Sequence, residues 1–405
     1  MVELKNPLYE TMALSTQTLH ADHHLRETSE VAPSIGVTTN FVYGKDGVES
    51  NNYGAGQRYA YSREGRPNTT QVESVLSTAM EGHAVVFGSG LTSALAILLH
   101  YRPKKVAISP CYFGIRGVLA QYGAIAGAVQ VVGAECPLDG VDLVWLESPV
   151  NPTGEIKDIS CYAVRAHAAG AVLVVDATLS PPPLSFPFRQ GADVIIHSAS
   201  KYLGGHADLL AGVVVTRAPA VAADMRRTRA ALGLGAGSLE TWLLQRSLAT
   251  LDVRVRQQAQ TARRLVALLE SFRRCSVTST CHTPTPAELA LGRRLASVRH
   301  GSLQLPAPWM AAQHPNGACG AVFAVSFASK AQALFVARQL RLHTFATSLG
   351  GVHSLVDWRH AVDPQAEPTL LRVSIGLEAF DDLAADWRQA LTALDAHECS
   401  VAAKL

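Results

Sequence analysis

The stretch Asp193-Val-Ile-Ile-His-Ser-Ala-Ser-Lys-Tyr-Leu-Gly-Gly-His-Ala-Asp208 decides the fold. Its apolar start predicts a buried strand, and the Ser-Ala-Ser-Lys run with the two glycines predicts a tight turn after it. A lysine after a buried strand and beside two hydroxyls is poorly explained as a solubilising charge. Burial lowers the pKa of an amine toward the range in which the amine acts as nucleophile and base. Lys201 is therefore a candidate nucleophile, and the alternative is a lysine that snorkels from a strand end.

The two serines of this turn suggest what the lysine would hold. The hydroxyls of Ser198 and Ser200 can donate hydrogen bonds to an anion such as a phosphate. A lysine and an anion cradle together indicate a Schiff-base lysine that carries a phosphorylated aldehyde cofactor.

Apolar runs of this kind recur from residue 84 up to the start of this stretch, with helical segments between them. Runs at this spacing predict a mostly parallel sheet covered on both faces, and so an α/β fold. The runs begin at Ala84, Val106, Val129, Leu143, Val172 and Val194.

The run at Ala84 leads through Gly-Ser-Gly into an apolar helix. A helix that begins at glycines presents free backbone N–H groups and the positive end of its dipole, which together bind anions. Gly90 and Leu91 are therefore candidates for the anion cradle. Position 93 is Ser, so the turn is not a dinucleotide fingerprint.

Functional groups of open α/β sheets lie at the carboxyl ends of the strands. Those ends carry Tyr112, the run Glu147-Ser-Pro-Val-Asn-Pro152, Asp176 and Lys201. Asp176 is suited to hold a proton on a pyridine nitrogen, and Tyr112 offers a flat stacking face. This convergence predicts a pyridoxal phosphate site, with Lys201 and Tyr112 as the candidate catalytic residues.

Composition narrows the class of protein. The 405 residues are 48% hydrophobic and 17% charged, with a net charge of +2, which predicts a well-packed globular protein with no nucleic-acid or membrane surface. The 7 cysteines show no C-x-x-C spacing, so we expect a reducing compartment. His20, His23 and His24 lack further ligands at suitable spacing, so no metal site is expected.

The second half of the chain predicts a smaller α/β domain. The pattern from Leu239 to Phe272 is that of one long helix. Val322-Phe-Ala-Val-Ser-Phe and Leu371-Arg-Val-Ser-Ile predict strands, and the region from Cys281 to Ala318 predicts a loop with one short helix. We expect an N-terminal arm at 1–60 that contacts a neighbouring subunit, a large cofactor-binding domain at 61–245 and a small domain at 246–405.

These motifs, in this order, resemble the Cys/Met-metabolism (trans-sulfuration) family of pyridoxal phosphate enzymes, and cystathionine γ-synthase in particular. The resemblance also rests on Tyr61-Ser-Arg63, Ser89-Gly-Leu91, Asp176-Ala-Thr178, Ser348-Leu-Gly-Gly351 and Leu371-Arg-Val-Ser-Ile-Gly-Leu-Glu378. It runs from Tyr59 to Glu378.

The resemblance implies a type I aminotransferase-like fold and a homotetramer built as a dimer of dimers. It implies that Tyr61 and Arg63 reach the cofactor phosphate of the neighbouring subunit. It also implies that Arg372 binds the α-carboxylate of an amino-acid substrate with the help of Asn151 and Ser348. A bidentate arginine suits a carboxylate.

Departures from the family pattern bear on the reaction. Thr347 and His353 stand where glutamate is usual in γ-synthases and γ-lyases. Thr347 removes a carboxylate that would attract the second amino group of cystathionine. The hypothesis is therefore γ-replacement on an activated homoserine ester, or γ-elimination. Two alternatives stay open, namely a lyase that performs β-elimination and a cofactor-binding scaffold without turnover.

The two ends of the chain carry expectations about location. The first residues contain no apolar leader, and no run is long enough to span a bilayer, so we expect a cytoplasmic protein. The final Ala403-Lys404-Leu405 resembles the Ser-Lys-Leu peroxisomal address, which leaves peroxisomal delivery as an alternative.

Overall fold

The computed structural model describes residues 7–26, 29–42, 52–53, 57–275, 291–317 and 319–402. The chain divides into two compact units, which we call the large unit (Met1–Ser148 with Asp158–Val253) and the small unit (Pro149–Lys157 with Arg254–Leu405). The predicted domain limits at residues 60 and 245 stay a prediction. The suggested peroxisomal address at 403–405 lies outside the described residues.

The large unit is built on a seven-stranded sheet. The chain first forms a two-stranded antiparallel ribbon of β1 (Asn52–Tyr53) and β2 (Gln57–Arg58). The strands of the large sheet are β3 (His83–Phe87), β4 (Lys105–Ile108), β5 (Gln130–Gly133), β6 (Leu143–Glu147), β7 (Val172–Asp176), β8 (Val194–Ser198) and β9 (Gly212–Thr216). Their order is β3-β9-β8-β7-β6-β4-β5. The strands β8, β7, β6, β4 and β5 run parallel, which confirms the predicted mostly parallel α/β sheet.

The large unit contains seven α-helices within the described residues. They are α1 (Leu14–His20), α2 (Pro67–Ala79), α3 (Gly90–Tyr101), α4 (Phe113–Ala126), α5 (Ile159–Ala168), α6 (Pro219–Leu232) and α7 (Ser238–Leu248). Of these, α3, α4 and α5 each connect two strands of the sheet. One face of the sheet, including Val194 and Ile196, packs with residues of α3, α4 and α6 in a single hydrophobic core. Ile195 points the other way and is also buried, as a strand covered on both faces requires.

The small unit contains a five-stranded sheet in the order β10-β11-β14-β13-β12. Its strands are β10 (Leu295–Arg299), β11 (Val322–Phe327), β12 (Thr344–Phe345), β13 (Leu355–Asp357) and β14 (Leu370–Ser374). The helices are α8 (Leu251–Cys275), which begins in the last residues of the large unit, then α9 (Pro308–Gln313), α10 (Lys330–Gln339) and α11 (Phe380–Ala402). The predicted strands at Val322 and Leu371 are β11 and β14.

Two predictions of local structure were wrong, and one strand was overlooked. The single helix from Leu239 to Phe272 is two helices, because the N–H and hydroxyl of Thr250 both bond the Ser247 carbonyl, at 3.2 and 3.3 Å, and tighten the turn. The loop from Cys281 to Ala318 contains β10, which pairs antiparallel with β11. The run Gly212–Thr216 was overlooked, although it forms β9 between β3 and β8.

The helices of the described ranges include none with the length and hydrophobicity of a bilayer crossing. Across the same part of the chain, no cluster of three or more His, Cys, Asp or Glu side chains is arranged to hold a metal ion.

Candidate active site

The carboxyl ends of the parallel strands gather the predicted residues of the large unit. Glu147 ends β6 and lies in register with Asp176, which ends β7. Asp176 is in turn in register with Ile196 on β8. The turn after β8 carries Lys201, whose backbone N–H donates to the Ser198 carbonyl at 3.1 Å. The sheet topology thus brings Asp176 and the Lys201 turn to one edge, as the strand pattern predicted.

The amino end of α3 is built to receive an anion. The Ser89 hydroxyl caps the helix by accepting from the Thr92 N–H at 3.1 Å, and the Thr92 hydroxyl accepts from the Ser89 N–H at 2.9 Å. The N–H groups of Gly90 and Leu91 make no hydrogen bond to any residue that the structure describes. Two donors at the positive end of the helix dipole are therefore available to a ligand.

Ser198 completes this anion site. A side chain at position 90 would place its Cβ 3.1 Å from the Ser198 Cβ and 3.3 Å from its Oγ, so any larger residue would crowd Ser198. The Ser198 N–H donates to the Thr178 hydroxyl at 2.8 Å, which fixes the backbone. Within the described ranges the Ser198 hydroxyl has no hydrogen-bond partner, so it can donate to a ligand beside Gly90.

Ser200, a candidate phosphate ligand, bonds the protein backbone, and its contact with a phosphate stays a prediction. Its hydroxyl accepts from the Ala211 N–H at 3.0 Å and donates to the Ala211 carbonyl at 3.3 Å. These bonds join the Lys201 turn to the segment before β9, so Ser200 shapes the turn in this structure.

Asp176 lies in a desolvated position, with 8% of its surface exposed. Burial raises the pKa of this carboxyl, although hydrogen bonds from Thr178 oppose the shift. One of these bonds is the Thr178 N–H donation at 3.0 Å. A buried carboxylate of this kind is stabilised by a cationic partner, and a protonated ring nitrogen would provide one.

Tyr112 stands directly before α4 and faces the turn around Leu91. A Cβ at Gly114 would lie 2.5 Å from Tyr112 Cε1 and 3.1 Å from Leu91 Cδ2, so glycine makes room for both side chains. The Tyr112 N–H donates to Glu147 Oε2 at 2.7 Å, and Glu147 is 2% exposed. This bond fixes the backbone of Tyr112 at the start of α4.

Tyr61 and Arg63 lie on the surface of the large unit. Tyr61 is 46% exposed, and the Arg63 guanidinium lies 5.7 Å from the centre of its ring. Arg63 Nη1 donates to the Ala230 carbonyl at 2.6 Å. Their reach to the cofactor of a neighbouring subunit stays a prediction.

The residues predicted to bind a substrate carboxylate meet in the small unit. Arg372 on β14 is 3% exposed. Its Nη1 donates to Asn151 Oδ1 at 3.1 Å, and its Nη2 donates to the Ser348 carbonyl at 2.7 Å. Ser348 has a φ of +78°, a left-handed conformation that is strained for a residue with a side chain. The strained backbone at Ser348 thus accompanies a carbonyl that holds the arginine.

Sequence reasoning missed two residues that position the others. Asp357 on β13 accepts from Arg372 Nη2 at 2.8 Å and from Arg359 Nη1 at 3.1 Å. Thr178 supports both Asp176 and Ser198. Thr178 stood two positions after the candidate Asp176, which was a usable signal, whereas nothing local marked Asp357 as the partner of Arg372.

The described residues of the large unit fit pyridoxal phosphate. The Gly90 and Leu91 N–H groups with the Ser198 hydroxyl suit the phosphate. Asp176 suits a protonated ring nitrogen, and Lys201 on the same sheet edge suits the aldehyde.

Comparison with known proteins agrees with this geometry. Residues 15–392 match the family described as Cys/Met metabolism PLP-dependent enzyme. The cystathionine gamma-lyase of Saccharomyces cerevisiae is 29% identical over 95% of this chain and 98% of its own. The chloroplastic cystathionine beta-lyase of Mimosa pudica is 30% identical over 82% of this chain and 74% of its own.

A solved structure gives the same result. The cystathionine gamma synthase from Xanthomonas oryzae pv. oryzae, in complex with aminoacrylate and cysteine, is 26% identical, with a TM-score of 0.80 over 95% of this chain and 99% of its own. The predicted family, fold class and cofactor are thereby confirmed, and the three similar proteins carry three different activities. This chain belongs to the Cys/Met metabolism family of PLP-dependent enzymes.

Proposed function

We propose that this enzyme performs γ-replacement or γ-elimination on an activated homoserine ester or a related sulfur amino acid. The observation that carries this choice is Thr347, an exposed and uncharged residue directly before Ser348. Glutamate at this position, as in the γ-synthases and γ-lyases that the chain resembles, would attract the distal ammonium group of cystathionine. Threonine instead favours a substrate whose distal end is neutral, such as an O-acyl ester.

We assign the binding of the cofactor phosphate to Gly90, Leu91 and Ser198, and its stacking partner to Tyr112. Ser200 supports the turn that carries Lys201. Asp176 would hold the proton on the ring nitrogen, because the desolvated carboxylate would gain a cationic partner there. Bound pyridoxal phosphate supplies an electron sink for the charge left at the substrate Cα.

Lys201 would hold the cofactor aldehyde and would serve as the acid–base group of the reaction. Its Nζ would take the proton from the substrate Cα. For γ-chemistry the same amine would also move a proton from Cβ, so that the group at Cγ can leave. A positioned acid–base group contributes about 10²–10⁴-fold to a rate. Arg372, held by Asn151 and Ser348, binds the α-carboxylate as a bidentate donor.

β-Elimination is the second candidate function. It is favoured by the likeness to the Mimosa pudica protein, whose name is that of a beta-lyase and which is 30% identical to this chain. Its products from cystathionine are pyruvate, ammonia and homocysteine, so the two candidates differ in what they release.

Product identification tests the proposal. The holoenzyme is incubated with O-acetyl-homoserine, with and without cysteine, and separately with cystathionine. Formation of cystathionine indicates γ-replacement, and formation of 2-oxobutanoate from the ester indicates γ-elimination. Pyruvate from cystathionine supports β-elimination instead. An ester left unconsumed under both conditions contradicts the proposal, and Lys201→Ala is the blank.

A matched variant tests the role of Thr347. We expect Thr347→Glu to improve turnover of cystathionine relative to the ester, whereas Thr344→Glu, three residues earlier and also exposed, should leave the ratio unchanged. Equal ratios in both variants would remove the argument from Thr347.

We further propose that the enzyme assembles as a homotetramer, in which Tyr61 and Arg63 contact the cofactor phosphate of a partner subunit. Their exposure in the single chain supports this assignment. Light scattering should give four times the chain mass of 43.1 kDa. A monomeric mass with full activity would refute the assembly.

A further inference from the structure

A cleft of about 660 Å³ opens on the large unit at the end of α3 that lies away from Gly90. With 12 residues, α3 spans about 18 Å, so the cleft is well separated from the anion site at its amino end. Its walls are largely apolar and come from the ends of α3, α4 and α6, with Leu99, Ala126, Ala231 and Leu232 among the lining residues. A volume of this size is typical of sites for small organic molecules.

Two cationic side chains line this cleft. Arg102 and Lys104 are exposed, and neither side chain has an ion-pair partner within the described ranges. The neighbouring carboxylate of Asp142 is engaged elsewhere, because its Oδ2 accepts the backbone N–H groups of Lys104 and Lys105 at 2.7 and 2.9 Å. Asp224 on α6 is likewise held by His100 and Arg227. Within the described ranges, the side chains of Arg102 and Lys104 are therefore available to pair with an anion in the cleft.

Tyr122 adds a polar group to the apolar wall. It is 3% exposed and lines the cleft, yet its hydroxyl makes no hydrogen bond to any residue that the structure describes. Burial raises the pKa of this phenol, and the nearby Arg102 opposes the shift, which places the hydroxyl within the field of the guanidinium. The Tyr122 hydroxyl is therefore free to donate a hydrogen bond to a ligand in the cleft.

The backbone at Arg102 is also unusual. Its φ is +49°, the left-handed conformation that glycine normally takes after a helix. An arginine in this position keeps a cation beside the cleft at a conformational cost. The left-handed backbone at position 102 would favour glycine over arginine.

We propose that this cleft binds an organic anion whose carboxylate or phosphate head group is held by Arg102, Lys104 and Tyr122, and whose apolar body lies against Leu99, Ala231 and Leu232. The hydrogen bonds to the anionic head group are charge-assisted, and such bonds are stronger than those between neutral groups. The site is independent of the reaction proposed above, since it shares no residue with it.

Calorimetric titration of the holoenzyme tests the proposal with three probes of equal chain length, namely decanoate, decyl phosphate and decanol. The two anions are used below their micellar concentrations and decanol below its solubility. We expect one anion per chain to bind at least tenfold more tightly than decanol, and the better of the two anions identifies the head group. Arg102→Gly removes the cation and suits the left-handed backbone, so it should fold normally and bind about 10- to 100-fold more weakly. Arg338→Ala, an exposed arginine on α10, is the matched control and should bind like the wild type.

Two further variants separate the parts of the site. Tyr122→Phe should weaken anion binding while leaving decanol binding unchanged, and Ala231→Trp should fill the cleft and abolish both. Equal binding of decanol and the anions would reduce the cleft to an apolar surface and overturn the proposal. It is equally overturned if no probe binds, or if Arg102→Gly and Ala231→Trp bind like the wild type.

Discussion

Replacement of Asp357 by alanine probes the charged cluster that holds Arg372. The variant removes hydrogen bonds of 2.8 Å to Arg372 and 3.1 Å to Arg359. Asp357 is 4% exposed, and the two arginines are 3% and 6% exposed. Water therefore cannot readily replace the lost carboxylate.

The structure sets the size of the effect. Loss of one partner from a buried ion pair typically lowers the free energy of unfolding by about 3–5 kcal/mol. We expect Asp357→Ala to fall in that range. Asp357→Asn keeps the shape and one acceptor oxygen, so it should lose about half as much. Because Asn151 and Ser348 still hold the Arg372 guanidinium, we expect activity to persist with a raised KM and a smaller change in kcat.

Urea unfolding followed by tryptophan fluorescence measures the first effect, and steady-state kinetics measure the second. Asp382→Asn is the control, since Asp382 is exposed on α11 in the same unit and should change stability by no more than about 1 kcal/mol. An Asp357→Ala variant as stable as this control would refute the reasoning. So would an unchanged KM, because Asp357 would then not orient Arg372.

Three further predictions concern the large unit. Gly90→Ala should weaken cofactor binding at least tenfold in a fluorescence titration, because the new Cβ would lie 3.1 Å from the Ser198 Cβ. Gly117→Ala is the control: its Cβ would meet no atom within 4 Å, so this variant should bind the cofactor normally and be up to about 1 kcal/mol more stable. Asp176→Asn should abolish turnover yet raise the Tm of the cofactor-free protein at pH 7. Burial raises the pKa of Asp176, so the wild-type folded state loses stability as pH rises above the unfolded pKa of about 4. An unchanged Tm would contradict this argument. Glu73→Gln should destabilise the protein by about 3 kcal/mol near neutral pH. Burial opposes ionisation of Glu73, but Arg226 and Arg229 hold its pKa below the usual value, so the difference from wild type should shrink as acid protonates Glu73. A difference independent of pH would exclude the pairing of Glu73 with the two arginines.

The residues at the carboxyl edge of the large sheet could be predicted from the sequence, because short local patterns specify them. Short apolar runs specify parallel strands, and each strand end carries its polar residue in the next few positions. Asp176 and the Lys201 turn therefore reached one edge as expected. Gly90 and Leu91 were found in the same way, because a glycine turn before an apolar helix leaves free N–H groups.

Features that depend on distant contacts were not predicted. The bond from Asp357 to Arg372 joins neighbouring strands of the small sheet, and no local pattern specifies that pairing. The hydrogen bond from the Ala211 N–H to the Ser200 hydroxyl likewise depends on how the turn folds back onto the segment before β9. The overlooked β9 is antiparallel to its neighbours, so it lies outside the strand–helix alternation that revealed the others.

The absorption spectrum of the purified enzyme with pyridoxal phosphate tests the central claim most directly. We predict a visible band from the covalently held cofactor, a shift of that band when an amino-acid substrate is added, and neither feature in Lys201→Ala. A colourless wild-type protein that takes up no cofactor, or a Lys201→Ala variant with the wild-type band and turnover, would contradict the account.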